Sequence, residues 1–207
     1  AFSLTQGVGF YLDDVQLFGD ASSRFGDLDR IEVLKGPQGV LYGGSNIGGA
    51  VKFISTRPTP DETTGHIKLM VGEQSSTDLE GSINLPIGEE WAVRLFAFTR
   101  EDDGFMYNPT TNDDSVAGYE ESGGRISIAG PLSENLSLYA SLRSNQYDGP
   151  NNNWALERGT PPNFDYPYIN DIETPSNNDK ETYGASLELV WELDGFDVTS
   201  ITSYTDT

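Results

Sequence analysis

Residues Arg30–Pro58 read RIEVLKGPQGVLYGGSNIGGAVKFISTRP. Two apolar stretches, Ile31–Leu34 and Ala50–Ile54, enclose a segment rich in glycine. Its six glycines are Gly36, Gly39, Gly43, Gly44, Gly48 and Gly49. Glycine is costly inside regular structure, so a cluster this dense marks a backbone that needs positive φ or close approach. The run therefore predicts a strand, a tight glycine-built turn and a second strand.

This run resembles the last part of the plug domain of TonB-dependent outer-membrane receptors. Plugs of that family carry a pattern like R-[IV]-E-V-L-R-G-P-x-x-x-L-Y-G, then a small-residue loop, G-G, a β-branched strand and a Lys/Arg-Pro end. The signature residues in this chain are Arg30, Lys35, Gly36, Pro37, Leu41, Tyr42, Gly43, Gly48 and Gly49. Lys35 departs from the pattern, because the family usually has arginine there, and lysine keeps the charge but loses bidentate pairing.

Composition excludes several classes of protein. The chain has 207 residues, no cysteine and a formal net charge of −21. The absent thiols and the single histidine, His66, argue against disulfides, a zinc site and a histidine-based catalytic triad. The strong negative charge argues against nucleic-acid binding through a basic face. No apolar run reaches the roughly 18 residues of a transmembrane helix, whereas barrel strands need only about 9–11 residues that alternate with polar ones.

The segments around the glycine-rich run are short. Gly7–Leu17 reads as one strand, and Phe18–Gly26 reads as a polar loop flanked by glycine. Leu28–Arg30 is expected to form a single helical turn. Thr56–Thr64 contains two prolines and reads as a linker.

From residue 65 onward the sequence alternates apolar and polar residues, and the pattern predicts seven strands. They run about Gly65–Val71, Thr77–Leu85, Trp91–Arg100, Gly118–Ala129, Asn135–Asn145, Thr182–Leu193 and Phe196–Tyr204. A soluble β-sandwich would also alternate, so the connections decide between the two folds.

Very short turns at Pro86–Glu90, Gly130–Glu134 and Asp194–Gly195 alternate with long polar segments at 102–117 and 147–180. Short turns on one side and long loops on the other are typical of an outer-membrane barrel. Three aromatic residues lie next to the short turns, where a periplasmic aromatic girdle is expected: Trp91, Trp191 and Phe196. The alternative is that they belong to an ordinary β core.

Together these patterns predict a mainly β chain, in which part of a plug domain precedes about seven antiparallel strands of a transmembrane β-barrel. We expect residues 1–58 to be the C-terminal part of the plug, 59–64 the linker, and 65–207 the first barrel strands, with extracellular loops near 102–117 and 147–180. The resemblance implies a complete barrel of about 22 strands around the plug. Because seven strands leave two bare edges, which lipid does not tolerate, we interpret the chain as a fragment of a longer receptor.

The resemblance also implies where cargo binds. In this family the apical loops of the plug contact the ligand, which makes Phe18, Arg24 and Phe25 candidate contacts, although a solvated plug loop is an equal alternative. Aromatic residues of the long loops are further candidates, since they offer contact area at a low entropy cost. They are Phe105, Tyr107, Trp154, Phe164, Tyr166 and Tyr168. They could instead pack against each other to order the loops.

Charged residues give weaker indications. We expect Arg30 and Lys35 of the plug to pair with inward barrel acids such as Glu188 or Glu192, which would hold the plug with little net stabilisation. Acidic residues crowd both long loops, and a calcium site is conceivable there, but no EF-hand spacing exists and a solvated acidic surface is favoured. We therefore predict no metal, no cofactor and no catalytic residue.

The resemblance implies a transporter of the Gram-negative outer membrane rather than an enzyme. Its cargo would be a scarce nutrient, namely a siderophore, cobalamin, haem or an oligosaccharide. Its partners would be outer-membrane lipid and the inner-membrane TonB complex, which grips an N-terminal box that this sequence does not contain. Two rivals stay open: a passive outer-membrane pore or adhesin, and a soluble acidic β domain that binds carbohydrate.

Overall fold

The structure, a computed structural model, describes residues 7–17, 25–37, 47–73, 75–108, 110–150 and 177–207. These residues form strands and connecting turns, arranged in two sheets. No helix among them is long and apolar enough to cross a membrane.

The small sheet contains four strands in the order β2-β1-β4-β3. Its strands are β1 (Val8–Leu12), β2 (Val15–Gln16), β3 (Leu28–Lys35) and β4 (Gly49–Ser55). Strand β4 pairs in parallel with β1 and antiparallel with β3. The two strands predicted on either side of the glycine-rich turn are therefore confirmed as β3 and β4, whereas 38–46 of the turn lie outside the described residues.

Two local expectations for the small sheet are wrong. Gly7–Leu17 is a hairpin rather than one strand, because Asp13 and Asp14 adopt positive φ values of 48° and 65° and reverse the chain. Two successive residues at positive φ form the turn that matches the twist of a tight hairpin. Leu28–Arg30 is the start of strand β3 rather than a helical turn, since Leu28 pairs with Ser55 of β4.

The wall sheet contains seven antiparallel strands in sequence order. They are β5 (Thr64–Val71), β6 (Thr77–Ile87), β7 (Trp91–Asn108), β8 (Asp113–Ser133), β9 (Leu136–Pro150), β10 (Asn177–Leu193) and β11 (Phe196–Asp206). The seven predicted strands are thus confirmed, and most of them are longer than the sequence pattern suggested.

The predicted loop at 102–117 is largely strand. The β7–β8 ladder continues to the pair Asn108–Asp113, with register shifts between Gly104 and Asn108. Gly104 has a φ of 93°, a backbone conformation that glycine adopts readily, at the point where the register shifts. Continued pairing satisfies backbone groups that a loop would leave to water. The middle of the other predicted loop, residues 151–176, lies outside the described residues.

The two faces of the wall sheet have opposite chemistry. The face turned toward the small sheet, here called the inner face, buries polar and charged side chains, and the outer face exposes apolar ones. Buried residues of the inner face include Ser82, Asn84, Arg94, Arg100, Glu121, Ser127 and Ser141. Exposed residues of the outer face include Ile67, Leu69, Leu79, Ile83, Leu95, Ile126, Leu142 and Leu187. This distribution is the reverse of a soluble sandwich and is that of a membrane barrel.

We expect Ile67→Arg to impair insertion into the membrane. The side chain of Ile67 is 83% exposed on the outer face, where an arginine would meet lipid. An arginine on the lipid face costs about 2–4 kcal/mol near the bilayer midplane. Met70 of the same strand points to the inner face, so Met70→Arg is the matched control. The measurement is the fraction of heat-modifiable, membrane-inserted protein, and equal losses in the two variants would contradict the assigned faces.

Candidate functional site

The small sheet meets the wall sheet at a buried cluster of charges. Asp27, which precedes strand β3, accepts hydrogen bonds from two arginines of the inner face. Arg94 donates from Nη2 to Oδ1 at 2.6 Å and from Nε to Oδ2 at 2.9 Å. Arg125 donates from Nη2 to Oδ2 at 2.8 Å and to the backbone carbonyl of Asp27 at 3.0 Å. The Asp27 side chain is only 1% exposed, so the pairing takes place away from bulk water.

Local backbone geometry places Asp27 at this junction. Its φ of 55° lies in the left-handed region, and its carbonyl accepts the amide of Thr56 at the end of β4. Beside it, Gly26 lies directly on the ring of Phe96, which a side chain at residue 26 would penetrate. The absence of a side chain at Gly26 is therefore what lets the chain before β3 approach the inner face.

The cluster joins the two sheets and carries a net positive charge. One carboxylate faces two guanidinium groups, and Arg94 also donates from Nη2 to the hydroxyl of Ser82 at 2.8 Å. Buried pairs of this kind add little net stability, because desolvation offsets the Coulomb attraction, yet removal of one partner is costly. The arrangement specifies where the small sheet sits and is suited to being broken and formed again.

A second junction holds the linker. Arg57 forms two hydrogen bonds of 2.8 Å with the carboxylate of Glu188 and lies 4.3 Å above the ring centre of Tyr139. The hydrogen bonds to Glu188 raise the pKa of Arg57 despite partial burial. Farther along, the buried side chain of Asn84 accepts the Thr59 amide and donates to the carbonyls of Thr59 and Glu62. The linker is thus fixed to the inner face at both of these points.

The prediction that Arg30 pairs with an acidic residue of the barrel strands is wrong. Arg30 pairs locally with Asp29 and Glu32, each at 2.8 Å, on the exposed side of β3. Its hydrogen bond lowers the pKa of Glu32. Lys35 is exposed at the end of β3, and the acid Glu188 pairs with Arg57 instead. β3 is the edge strand of the small sheet, and the side chain of Arg30 on this strand is 56% exposed, beside its two acidic neighbours.

Sequence reasoning missed Asp27, Arg94 and Arg125. The two arginines did carry a signal, since each occupies a polar position between outward apolar residues of an alternating strand. Arg94 lies between Val93 and Leu95, for example. Asp27 carried none, because its role depends on an unusual backbone conformation and on contacts with residues 67 and 98 positions away.

Among the proposed ligand contacts, Phe25 lies at the boundary between the sheets. Its ring packs on Phe53 of β4, with centroids 4.9 Å apart. It also lines a pocket of about 80 Å³ together with Phe96, Phe98 and Arg125. Phe18 and Arg24 lie outside the described residues.

The loop aromatics are only partly described. Phe105 is about half exposed near the end of β7, and the hydroxyl of Tyr107 donates to Asn112 at 3.2 Å. The remaining four candidates lie outside the described residues: Trp154, Phe164, Tyr166 and Tyr168. Three signature residues also lie outside them: Leu41, Tyr42 and Gly43.

The remaining signature glycines have a structural role. Gly49 has a φ of 142°, and a side chain there would collide with the carbonyl oxygen of Leu34. Gly36 has a φ of 89°, and its amide donates to the carbonyl of Gly48 at 3.2 Å. Pro37 is exposed just after it. These residues shape the entry to and exit from the turn between β3 and β4.

Charged and aromatic side chains make up the boundary between the two sheets. Within the described ranges, no three histidine, cysteine, aspartate or glutamate side chains are grouped so as to hold a metal ion. Its chemistry is that of buried ion pairs at the boundary of two sheets, next to a pocket lined by aromatic residues.

Comparison with known proteins agrees with this architecture. Residues 2–50 match the family model of the TonB-dependent receptor plug domain. The pesticin receptor of Yersinia pestis is 32% identical over 124 residues, which cover 58% of this chain and 18% of that protein. The ferrioxamine B receptor of Salmonella typhimurium is 35% identical over 98 residues, covering 44% and 14%. The ferric yersiniabactin uptake receptor FyuA from Yersinia pestis superposes with a TM-score of 0.82 at 20% identity, covering 96% of this chain and 32% of that one.

A plug-like small sheet against the polar face of antiparallel barrel strands defines an outer-membrane receptor fold. Residues 2–50 match the plug domain of TonB-dependent receptors, and the chain as a whole is similar to receptors of that family in sequence and in fold. It spans about a fifth of the length of the curated relatives first matched, 18% in the case of the pesticin receptor.

Proposed function

We propose that the protein to which this chain belongs takes up a scarce nutrient across the outer membrane of a Gram-negative bacterium, driven by the TonB complex. In this proposal residues 1–58 belong to the plug, 59–64 to the linker and 65–207 to the barrel. The observation that carries it is the buried attachment of the small sheet to the inner face through Asp27, Arg94 and Arg125. A plug seated there obstructs the lumen until something moves it.

The attachment suits a plug that has to move. Its strongest links are ion pairs and hydrogen bonds, which are lost abruptly when the partners separate by a few ångströms and form again on return. An apolar interface of the same size would hold the plug through non-directional contact and would not fix one position. Cargo binding and pulling by TonB would together shift the plug between a seated and a displaced state.

A ferric siderophore is the cargo class that we favour. The relatives include a receptor named for ferrioxamine, and a similar structure is named for ferric yersiniabactin. Cobalamin is the second candidate, because a vitamin B12 transporter of Vibrio cholerae is 26% identical over 119 residues. Aromatic and cationic side chains around Phe25 and Arg125 offer both stacking area and hydrogen-bond donors to such a molecule.

Neither rival fits the contacts as well. A passive pore needs an open lumen, whereas a sheet of the same chain occupies the inner face here. A soluble carbohydrate-binding domain would place its apolar side chains inside, whereas the exposed outer residues Ile67 and Leu142 are apolar and the buried inner residues Arg94 and Glu121 are charged.

The proposal is tested by uptake of iron-55 in cells that make the complete protein as their only receptor of this class. We expect uptake of at least one ferric siderophore from a chemically varied panel, and its loss when the tonB gene is deleted or the proton-motive force is collapsed. Labelled cyanocobalamin tests the second cargo in the same cells. Uptake that persists without TonB would contradict the proposal, and so would the absence of TonB-dependent uptake of every cargo.

A further inference from the structure

Arg143 occupies an unusual place in the wall sheet. It lies in the middle of β9, directly opposite Arg125 of β8 on one side and Gly184 of β10 on the other. Like charges at directly opposed positions of antiparallel strands are destabilising unless something compensates them. The compensation differs for the two arginines.

Among the described residues, Arg125 has a carboxylate partner, which it shares with Arg94, and Arg143 has none within ion-pair distance. Arg125 bonds to the carboxylate of Asp27, whereas Arg143 donates from Nη2 to the hydroxyl of Thr205 at 3.1 Å. Across the described ranges of the chain, no carboxylate lies within ion-pair distance of Arg143. A guanidinium group has five N–H donors, so most of its hydrogen-bonding capacity is unused by the described residues.

The neighbouring strand is built to accept this side chain. A side chain at Gly184 would collide with Nε of Arg143, so the guanidinium group lies flat against the backbone of β10. Glycine there directs Arg143 along the inner face toward β11, away from Arg125. The two like charges therefore diverge. In the described part of the chain, Asp13 lines the same pocket as Arg143 and attracts the guanidinium group without forming an ion pair with it.

Pockets flank Arg143 on both sides, at the boundary between the two sheets. One is lined by Phe25, Phe96 and Phe98, and the other by Asp13 and Ser203. Arg125, Arg143 and the small-sheet residue Leu12 line both. The half-buried cation thus borders the space that opens when the small sheet moves away from the inner face.

We propose that Arg143 binds an anionic group of the cargo, a carboxylate in the simplest case, as the cargo passes between plug and barrel wall. This inference rests on the proposed uptake function and adds a chemical requirement to it. A planar guanidinium fork matches a carboxylate, and in a partly desolvated site the charge-assisted pair is strong. Because the contact forms at the boundary of the sheets, it acts on passage and not on capture at the cell surface.

The test compares two iron-55 complexes of one siderophore, with its carboxylate free or converted to the amide. Cells make the complete protein as wild type, Arg143→Gln or Arg143→Lys. Arg30→Gln is the matched control, since it removes an arginine charge from the exposed side of the small sheet. Both the affinity of the cell surface in the cold and the initial rate of TonB-dependent uptake are measured. Heat-modifiable gel mobility verifies that each barrel has assembled.

We expect Arg143→Gln to slow uptake of the carboxylate complex about tenfold, as loss of one charge-assisted hydrogen bond predicts. Surface affinity and uptake of the amide should stay within about twofold of wild type. Arg143→Lys should give a rate between those of the wild type and Arg143→Gln, because it keeps the charge but loses the bidentate fork. Equal slowing of both complexes, or no slowing, would overturn the inference. Wild-type uptake restricted to complexes without an anionic group would also overturn it, whereas no TonB-dependent uptake at all would overturn the proposed function.

Discussion

Replacing Asp27 with alanine is expected to release the small sheet from the wall sheet. The substitution leaves Arg94 and Arg125 as two buried cations, whose side chains are 10% and 8% exposed, without their carboxylate partner. Breaking a buried pair by removing one partner costs about 3–5 kcal/mol. We expect faster hydrogen exchange and earlier proteolytic cleavage in strands β3 and β4, while the barrel stays heat-modifiable.

Asp29→Ala is the matched control for this experiment. Asp29 lies two residues away and also pairs with an arginine, but both partners are 56% exposed. Exposed pairs contribute roughly 0–1 kcal/mol, so exchange and proteolysis should match wild type. A double-mutant cycle with Arg94→Ala measures the coupling directly. Equal behaviour of the two aspartate variants, or no coupling between Asp27 and Arg94, would show that the junction does not hold the small sheet.

Replacing Gly49 with alanine is expected to disrupt the small sheet itself. Residue 49 starts β4, where its φ of 142° is unfavourable for any side chain and an added Cβ would collide with the Leu34 carbonyl in the adjacent strand. Backbone strain of this kind costs about 1–3 kcal/mol, and the collision with a fixed backbone atom adds to it. The variant should lose protease resistance in β3 and β4 and lose uptake.

Substitutions at two other glycines distinguish the cost of backbone strain from the cost of a steric collision. Gly36 also has a positive φ, but an added Cβ at this position would lie in open space, with no atom within 4 Å. We expect Gly36→Ala to cost roughly 1–2 kcal/mol, which is the penalty of the left-handed conformation alone. Gly7→Ala meets neither difficulty and should be neutral. The account predicts the order of damage Gly49, Gly36, Gly7 in a proteolysis assay, and a different order would contradict the geometry assigned to the turn.

The strands of the wall sheet could be predicted because the sequence pattern of each strand lies within the strand and its adjacent turns. Alternation of apolar and polar residues assigns each position to a face, and short polar turns mark the ends of the strands. In β5, for example, alternation places Ile67 and Leu69 on one face and His66 and Lys68 on the other, and the regular pairing of β5 with β6 keeps that arrangement. The strand ends were less predictable, since the ladder between β7 and β8 continues through polar residues that the sequence pattern assigns to a loop.

The charge junctions could not be predicted from sequence because they depend on distant parts of the chain. Arg57 and Glu188 are separated by 131 positions, and either could have faced lumen water. The expected polarity, a cation before the barrel strands paired with a barrel acid, is found only for Arg57 and Glu188. At the larger junction the signs are reversed, with an acid from the small sheet between two cations of the wall sheet.

Ion conductance tests whether the small sheet closes the lumen of the barrel. The complete purified protein is inserted into a planar lipid bilayer, and current is recorded at constant voltage without TonB. We expect no current through the wild-type protein and open-channel events for Asp27→Ala, because the displaced small sheet no longer blocks the lumen. A large, steady conductance of the wild type would contradict the account and would identify a passive pore.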